Sequence, residues 1–198
     1  MSLGFDIGQG AGLAGASGVR PFLPPLLTGA LASGDIGVDF DGTSFSWVES
    51  PAFLVIVLGL AVVGYTLDRR TPQAPRTDGR QPADVFLATI GMALGAVLFG
   101  ASLAEHGRTE WPGVIAGILC AFLGYLAVAA LFRRARARLE GSAAALLNAY
   151  GDGLSLAIAA LTILFPPLGF AVLVGFLVLL LRARRAGAKK YEGLRILR

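Results

Sequence analysis

The sequence predicts an all-α protein, a polytopic transmembrane helical bundle with about six membrane segments. Apolar residues make up 55% of the 198 residues and charged residues 15%, whereas a soluble domain carries about a quarter charged residues. The apolar residues form blocks long enough to span about 30 Å of hydrocarbon. Fifteen of the 17 Lys and Arg residues fall in three short segments between these blocks, which is the positive-inside pattern of membrane proteins.

The first predicted membrane segment, residues 10–33, is interrupted by three prolines. Pro21, Pro24 and Pro25 each lack an N–H and disrupt a helix interior. The part from Pro21 to Ser33 reaches only about 20 Å and is too short to span a membrane alone. The segment is therefore expected to be either a Pro-broken spanning helix or a re-entrant segment.

The other five predicted segments are continuous apolar runs. They cover residues 51–67, 85–104, 113–132, 143–165 and 168–181. The last two would form one helix of nearly 60 Å if they were continuous, about twice the hydrocarbon thickness. Pro166 and Pro167 lie between them, so we expect a helical hairpin that turns there. The segments together form a single integral membrane domain over residues 1–198.

The distribution of charge predicts the orientation. The linker 68–84, the segment 133–140 and the basic tail 182–198 are expected to face the cytoplasm, and the loops 34–50 and 105–112 the outside. Six crossings would place both termini in the cytoplasm. The Pro-rich linker is expected to be mobile, and the outer loop 34–50 to contain a β-hairpin at Asp41-Gly42.

Motifs for enzymes, metals and nucleic acids are absent from the sequence. It has a single histidine, His106, and a single cysteine, Cys120, and no zinc, P-loop or nucleophile-elbow motif. We therefore expect no catalytic residue, metal or cofactor. The basic residues lie at predicted membrane edges, which indicates contact with anionic inner-leaflet lipids at the tail and not nucleic-acid binding.

Small residues at a spacing of four indicate close helix packing. Gly91 and Gly95 form one GxxxG pair, and Gly113 and Gly117 form another. In lipid such pairs let helix backbones approach each other. The expected use is packing inside one bundle, and assembly into a homo-oligomer or a larger membrane complex is the alternative.

Two ionisable residues, Arg20 and Asp152, lie deep in predicted membrane segments. An unpaired charge there costs at least about 2.5–3.5 kcal/mol, so we expect the two side chains to form a pair. The pair either joins two helices or lines a polar pocket for a substrate or ion. Ser17, Asn148 and Tyr150 are further candidate lining residues, and Gly151 and Gly153 are expected to break the helix around Asp152.

Three stretches of the chain resemble the DUF4126 family. They are GLAGASGVRPFLPPLLTGAL, GDGLSLAIAALTILFPPLGFAVLVGFLVLLL and KKYEGLRILR. The resemblance implies a small bacterial integral membrane protein in the cytoplasmic membrane and brings no mechanism. Two hypotheses of function remain open. One is a transporter or permease-like protein with an anion or anionic lipid headgroup near Arg20, and the other is a non-catalytic membrane subunit or scaffold.

Overall fold

The computed structural model describes residues 2–70, 82–136 and 141–195, with side chains described in 2–66, 85–132 and 146–185. The helices are α1 Leu3–Val19, α2 Leu23–Ala32, α3 Pro51–Arg70, α4 Pro82–Ala104, α5 Trp111–Arg136, α6 Gly141–Leu164 and α7 Leu168–Arg195. A 3-10 turn covers Ser46–Val48. No β-strand occurs in these described ranges, and the all-α class is confirmed.

Three of the described helices are long and apolar enough to cross a membrane. They contain the stretches Val85–Ala104, Trp111–Phe132 and Leu146–Leu164. Leu23–Ala32 and Pro51–Thr66 are apolar but shorter. The structure is therefore that expected of a membrane protein, while the predicted count of six membrane segments is not confirmed.

The bundle has two ends of different character. At one end, called here the loop end, the loops 33–50 and 105–110 meet the turn 165–167. The backbone N–H of Asp39 donates to Glu105 Oε1 over 3.2 Å, and Ser44 Oγ donates to Glu110 Oε1 over 2.7 Å. The opposite end, called the basic end, is where the Arg-rich ends of α3, α5 and α7 lie. The clusters of basic residues on these three helices are thus on one side of the bundle.

Helix α1 lies at the centre of the bundle, in contact with α4, α5, α6 and α7. Glycines make these contacts close. A Cβ added to Gly91 would lie 2.8 Å from the carbonyl oxygen of Ser17, and one added to Gly95 would lie 3.3 Å from that of Ala14. Side chains at these positions would hold the helices apart, so the glycines of α4 pack against α1 as the spacing predicts.

The glycines of α5 use the same geometry against α4. A Cβ on Gly113 would lie 3.1 Å from the carbonyl oxygen of Phe99, and one on Gly117 would lie 2.7 Å from the Cα of Ala96. All four glycines of the two GxxxG pairs therefore bring helices of one bundle together. Packing inside the bundle, as predicted, accounts for them.

Residues 10–33 do not form one spanning segment. Helix α1 starts at the loop end, where Asp6 lies beside His106 and Gly8 packs against Pro166. The chain then turns at Arg20–Phe22, and α2 returns towards the loop end, where Gly29 packs against Val48. The segment is therefore a helical hairpin, which is the shape expected of a re-entrant segment.

The prediction that both termini lie in the cytoplasm is not confirmed. Helices α1 and α2 form a hairpin whose two ends both lie at the loop end. Helix α1 begins at the loop end, and α7, which runs parallel to it, ends at the basic end. The two ends of the described chain therefore lie on opposite sides of the bundle.

Three smaller predictions have different outcomes. Residues 33–50 form turns, with Gly42 at φ 72° and the Thr43 N–H donating to Phe40 O over 3.1 Å, where a β-hairpin was expected. Phe40 is fully buried and fixes this loop onto the bundle. The tail continues α7 as a helix to Arg195. Most of the linker 68–84, namely 71–81, lies outside the described residues, as do 196–198.

Candidate functional site

The turn between α1 and α2 is determined by its prolines. Arg20 ends α1 with extended backbone angles, φ −141° and ψ 116°, and its N–H donates to Ala16 O over 3.0 Å. A residue before proline is disfavoured in the α region. Pro21 has no N–H, so the carbonyl of Ser17 loses the donor that a continuing helix would supply. Pro24 and Pro25 lie in the first turn of α2, where an N–H is not needed.

The predicted contact between Arg20 and Asp152 is present at this turn. Nε of Arg20 lies 2.7 Å from Oδ1 of Asp152. Nη2 of Arg20 donates to the carbonyl oxygen of Asn148 over 2.9 Å. The Nε atom is close to the carboxylate but makes no hydrogen bond with good geometry. Charge attraction therefore dominates the contact through Nε, whereas Nη2 is held by a directed hydrogen bond.

The ion pair is only partly covered by protein. The side chain of Arg20 is 25% exposed and that of Asp152 is 37% exposed. Asp152 also lies near the middle of α6, 11 residues after Gly141 and 12 residues before Leu164. The pair is thus far from both helix ends along the axis, yet open to a molecule that reaches the turn.

Gly151 lets the guanidinium of Arg20 lie against α6. A Cβ at Gly151 would be 3.2 Å from Nε of Arg20 and 2.9 Å from the ring of Phe132. The glycines at 151 and 153 do not break α6, which is continuous over Gly141–Leu164. That expectation was wrong, because glycine costs a helix only about 1 kcal/mol and packing outweighs this cost.

The other predicted lining residues have different positions. Ser17 is buried and its hydroxyl donates to Leu13 O over 3.0 Å, a bond within α1. Asn148 contributes its backbone carbonyl to Arg20. Tyr150 is 77% exposed on the outer surface of the bundle. The structure therefore brings together Arg20, Asp152 and Asn148, places Ser17 one turn before the pair, and separates Tyr150 from it.

A second polar cluster lies at the loop end and was not predicted. Asp6, whose side chain is fully buried, has His106 Nδ1 at 3.4 Å and Arg108 Nε at 3.8 Å. Glu105 is next to them in the chain, and Gln9 lies one turn further along α1. The available signal was the pair of polar residues Asp6 and Gln9, spaced by three on an otherwise apolar helix.

Three acids in the loop 33–50 also lie close together. One carboxylate oxygen each from Asp39, Asp41 and Glu49 falls within 4.8 Å of the others. Asp39 Oδ1 accepts a hydrogen bond from the Asp41 N–H over 2.8 Å, and Glu49 accepts one from the Phe40 N–H. These bonds to the backbone explain the cluster as a support for the loop.

The family described as "Domain of unknown function (DUF4126)" matches residues 7–186 of the chain. This range includes the Arg20–Asp152 pair and all seven helices in whole or in part, and it begins one residue after Asp6. No curated protein and no solved structure matches the chain. The match covers most of the sequence, and the chain therefore belongs to the DUF4126 family.

Proposed function

We propose that this protein is a small membrane transport protein that binds an oxyanion at Arg20. The observation that carries the proposal is the partly exposed Arg20–Asp152 pair at the turn of a re-entrant hairpin. Re-entrant and broken helices beside charged residues are the recurrent construction of transporter binding sites. A dry structural ion pair has no need of exposed charges, and both side chains here are accessible.

The chemistry of the pair suits exchange of one anion for another. Arginine presents planar donors that match the oxygens of a carboxylate or phosphate. Nε of Arg20 is buried beside the Asp152 carboxylate, so an incoming oxyanion reaches Nε by displacing that carboxylate. The hydrogen bond from Nη2 to Asn148 O would keep the guanidinium in place during the exchange.

The proposed orientation follows the positive-inside pattern. The basic end of α3, α5 and α7 is placed in the cytoplasm of a bacterial inner membrane, and the loop end outside. The start of α1 is then outside and the end of α7 inside. A reagent that cannot cross the membrane should label Ser2→Cys in intact cells, in a background in which Cys120 is replaced by Ala. Labelling that needs permeabilised cells would reverse this orientation.

Transport is tested with purified protein in proteoliposomes, with radiolabelled inorganic phosphate and succinate as probes. Wild-type protein should take up at least one probe faster than empty liposomes, and Arg20→Gln should lose this uptake. Arg185→Gln removes an equal charge from an exposed position on α7 and should retain uptake. Uptake of neither probe by the wild type would refute small-anion transport.

The same arginine chemistry also suits the phosphate of an anionic lipid. Native mass spectrometry distinguishes this source, because a bound phospholipid adds its mass to the protein. Retention of anionic phospholipid by the wild type and its loss from Arg20→Gln, without uptake of either probe, would identify a lipid headgroup as the bound oxyanion.

Helix α3 favours a second candidate function, that of a membrane subunit or scaffold. It packs mainly against the short helix α2 and the 3-10 turn, and Val55, Ile56 and Val62 are each more than half exposed. Gly59 on α3 has open space around it. Assembly through this helix predicts that Gly59→Cys forms a disulfide-linked dimer in membranes of the Cys120→Ala background. Gly175→Cys on α7 is the matched control, because Gly175 is equally open.

A further inference from the structure

The cluster at the loop end contains more buried acceptors than donors. Neither carboxylate oxygen of Asp6 makes a hydrogen bond, and the same holds for Glu105 Oε2 and His106 Nδ1. The ion-pair contacts to Asp6, at 3.4 Å and 3.8 Å, are too long or poorly directed to satisfy it. Buried polar atoms without a partner are costly, so this arrangement needs an explanation beyond pinning α1 in place.

Gln9 provides an independent observation of the same kind. It is 3% exposed, and its Nε2 atom has no hydrogen-bond partner among the described residues. It lies on the same side of α1 as Asp6, because residues three apart on a helix are neighbours. The first two turns of α1 therefore carry two buried polar side chains with atoms that make no hydrogen bond, both oxygens of Asp6 and Nε2 of Gln9.

Negative charge exceeds positive charge around Glu105. Helix α1 contributes Asp6, the loop 33–50 contributes Asp39 and Glu49, and the loop 105–110 contributes His106 and Arg108. The pKa of Glu105 is raised to about 7, mainly because the side chain is partly buried. Repulsion from Asp39, Asp6 and Glu49 raises the pKa further, and the hydrogen bond from the Asp39 N–H lowers it.

Asp6, which is buried, and Glu105, which is half-buried, have different surroundings. Arg108 and the positive N-terminal end of the α1 dipole both lie beside Asp6. Glu105 has three carboxylates as neighbours, and only Oε1 has a hydrogen-bond donor, the Asp39 N–H. The surroundings of Glu105 therefore favour its uncharged form.

We infer that Glu105 binds a proton at the loop end of the bundle, with Asp6 and His106 as the neighbouring polar groups. The proton forms an O–H bond on Oε2, the oxygen without a hydrogen bond, while Oε1 keeps its bond from Asp39. Binding removes one negative charge from the cluster and supplies one donor to its unsatisfied acceptors. This site is independent of the proposed anion site and does not require that the protein transports anything.

Infrared difference spectroscopy of the purified full chain tests the inference. The wild type should show a protonated-carboxyl band that disappears as the pH rises through about 7. Glu105→Gln should lack this band. Glu110→Gln makes the same chemical change in the same loop and should keep it. A wild type without the band, or a band unchanged in Glu105→Gln, would overturn the inference.

Asp39→Asn is a second variant in case Glu105→Gln fails to fold. Asp39 is exposed, and its backbone N–H, which bonds Glu105, is kept by the substitution. Removal of one repelling carboxylate should shift the disappearance of the band to lower pH. A midpoint that does not move in Asp39→Asn would show that the titrating carboxyl is not Glu105.

Discussion

The Arg20–Asp152 pair predicts a strong energetic coupling between two helices. The perturbations are Arg20→Leu, Asp152→Leu and the double variant. Each replaces a charged side chain with the apolar side chain of leucine. Each single variant leaves one charge without its partner at the middle of the bundle. The double variant leaves no charge, so it should be more stable than either single one.

The magnitude follows from the burial of the two side chains. Loss of one partner from a fully buried pair costs about 3–5 kcal/mol. Here the side chains are 25% and 37% exposed, and the partial exposure reduces the expected cost to about 2 kcal/mol for each single variant. For a chain of this size that corresponds to a fall in Tm of roughly 4–8 °C. The double variant should lose no more than about 1 kcal/mol.

Unfolding of the purified protein in mild detergent, followed by circular dichroism, measures all four proteins of the cycle. The control pairs Arg20→Leu with Glu110→Leu. Glu110 lies at the loop end of the bundle, away from the Arg20–Asp152 pair, so those losses should add. If the losses of Arg20→Leu and Asp152→Leu also add, the two side chains do not interact and the reasoning is wrong. A double variant that regains stability but loses probe uptake would assign the pair to binding as well as to packing.

Three further predictions can be checked with the same assay. Gly18→Ala should destabilise the protein by more than about 2 kcal/mol, because the added Cβ would overlap the carbonyl of Ala121. The control is Gly153→Ala, whose Cβ would have no atom within contact distance. It should be neutral or stabilising by up to about 1 kcal/mol. Between pH 4.5 and about 7, Glu105 keeps its proton in the folded protein and loses it in the unfolded chain. The wild type should therefore lose stability relative to Glu105→Gln as the pH rises through this window. The expected loss is about 1 kcal/mol, because solvent screens the exposed part of the side chain. Equal pH profiles of the two proteins would contradict that assignment. Gly169→Ala should also destabilise, since its Cβ would overlap the carbonyl of Gly8; a normal Tm would show that α1 and α7 pack less closely.

The sequence was sufficient to predict those helices whose bounds follow the hydropathy pattern. It was also sufficient to predict the Arg20–Asp152 pair. Helices α4, α5 and α6 contain the expected apolar runs, and the turn at Pro166-Pro167 separates α6 from α7. Arg20 and Asp152 could be paired in advance because a lone charge in lipid is so costly. These features depend on local composition or on a single large energy term.

The start and direction of α1 could not be predicted in the same way. The helix begins at Leu3, seven residues before the predicted start, because Asp6 is buried against His106 and Arg108 from a loop about 100 residues later. An argument from hydropathy places a charged residue outside a membrane helix unless the partner of that charge is known. The absence of Lys and Arg before Arg20 was the signal that the first helix starts away from the basic end.

The central position of α1 has a consequence for the order of assembly. Helix α1 is synthesised before the helices that surround it, α4, α5, α6 and α7. Gly15 of α1 packs against Phe176, 161 residues later in the chain. During synthesis the first helix has no complete set of neighbours until α7 has emerged. Its buried Asp6 meets His106 and Arg108 only after α4 has been made, and its Arg20 meets Asp152 only when α6 has been made. A chain truncated before α7 would leave one side of α1 without the surface that its glycines fit.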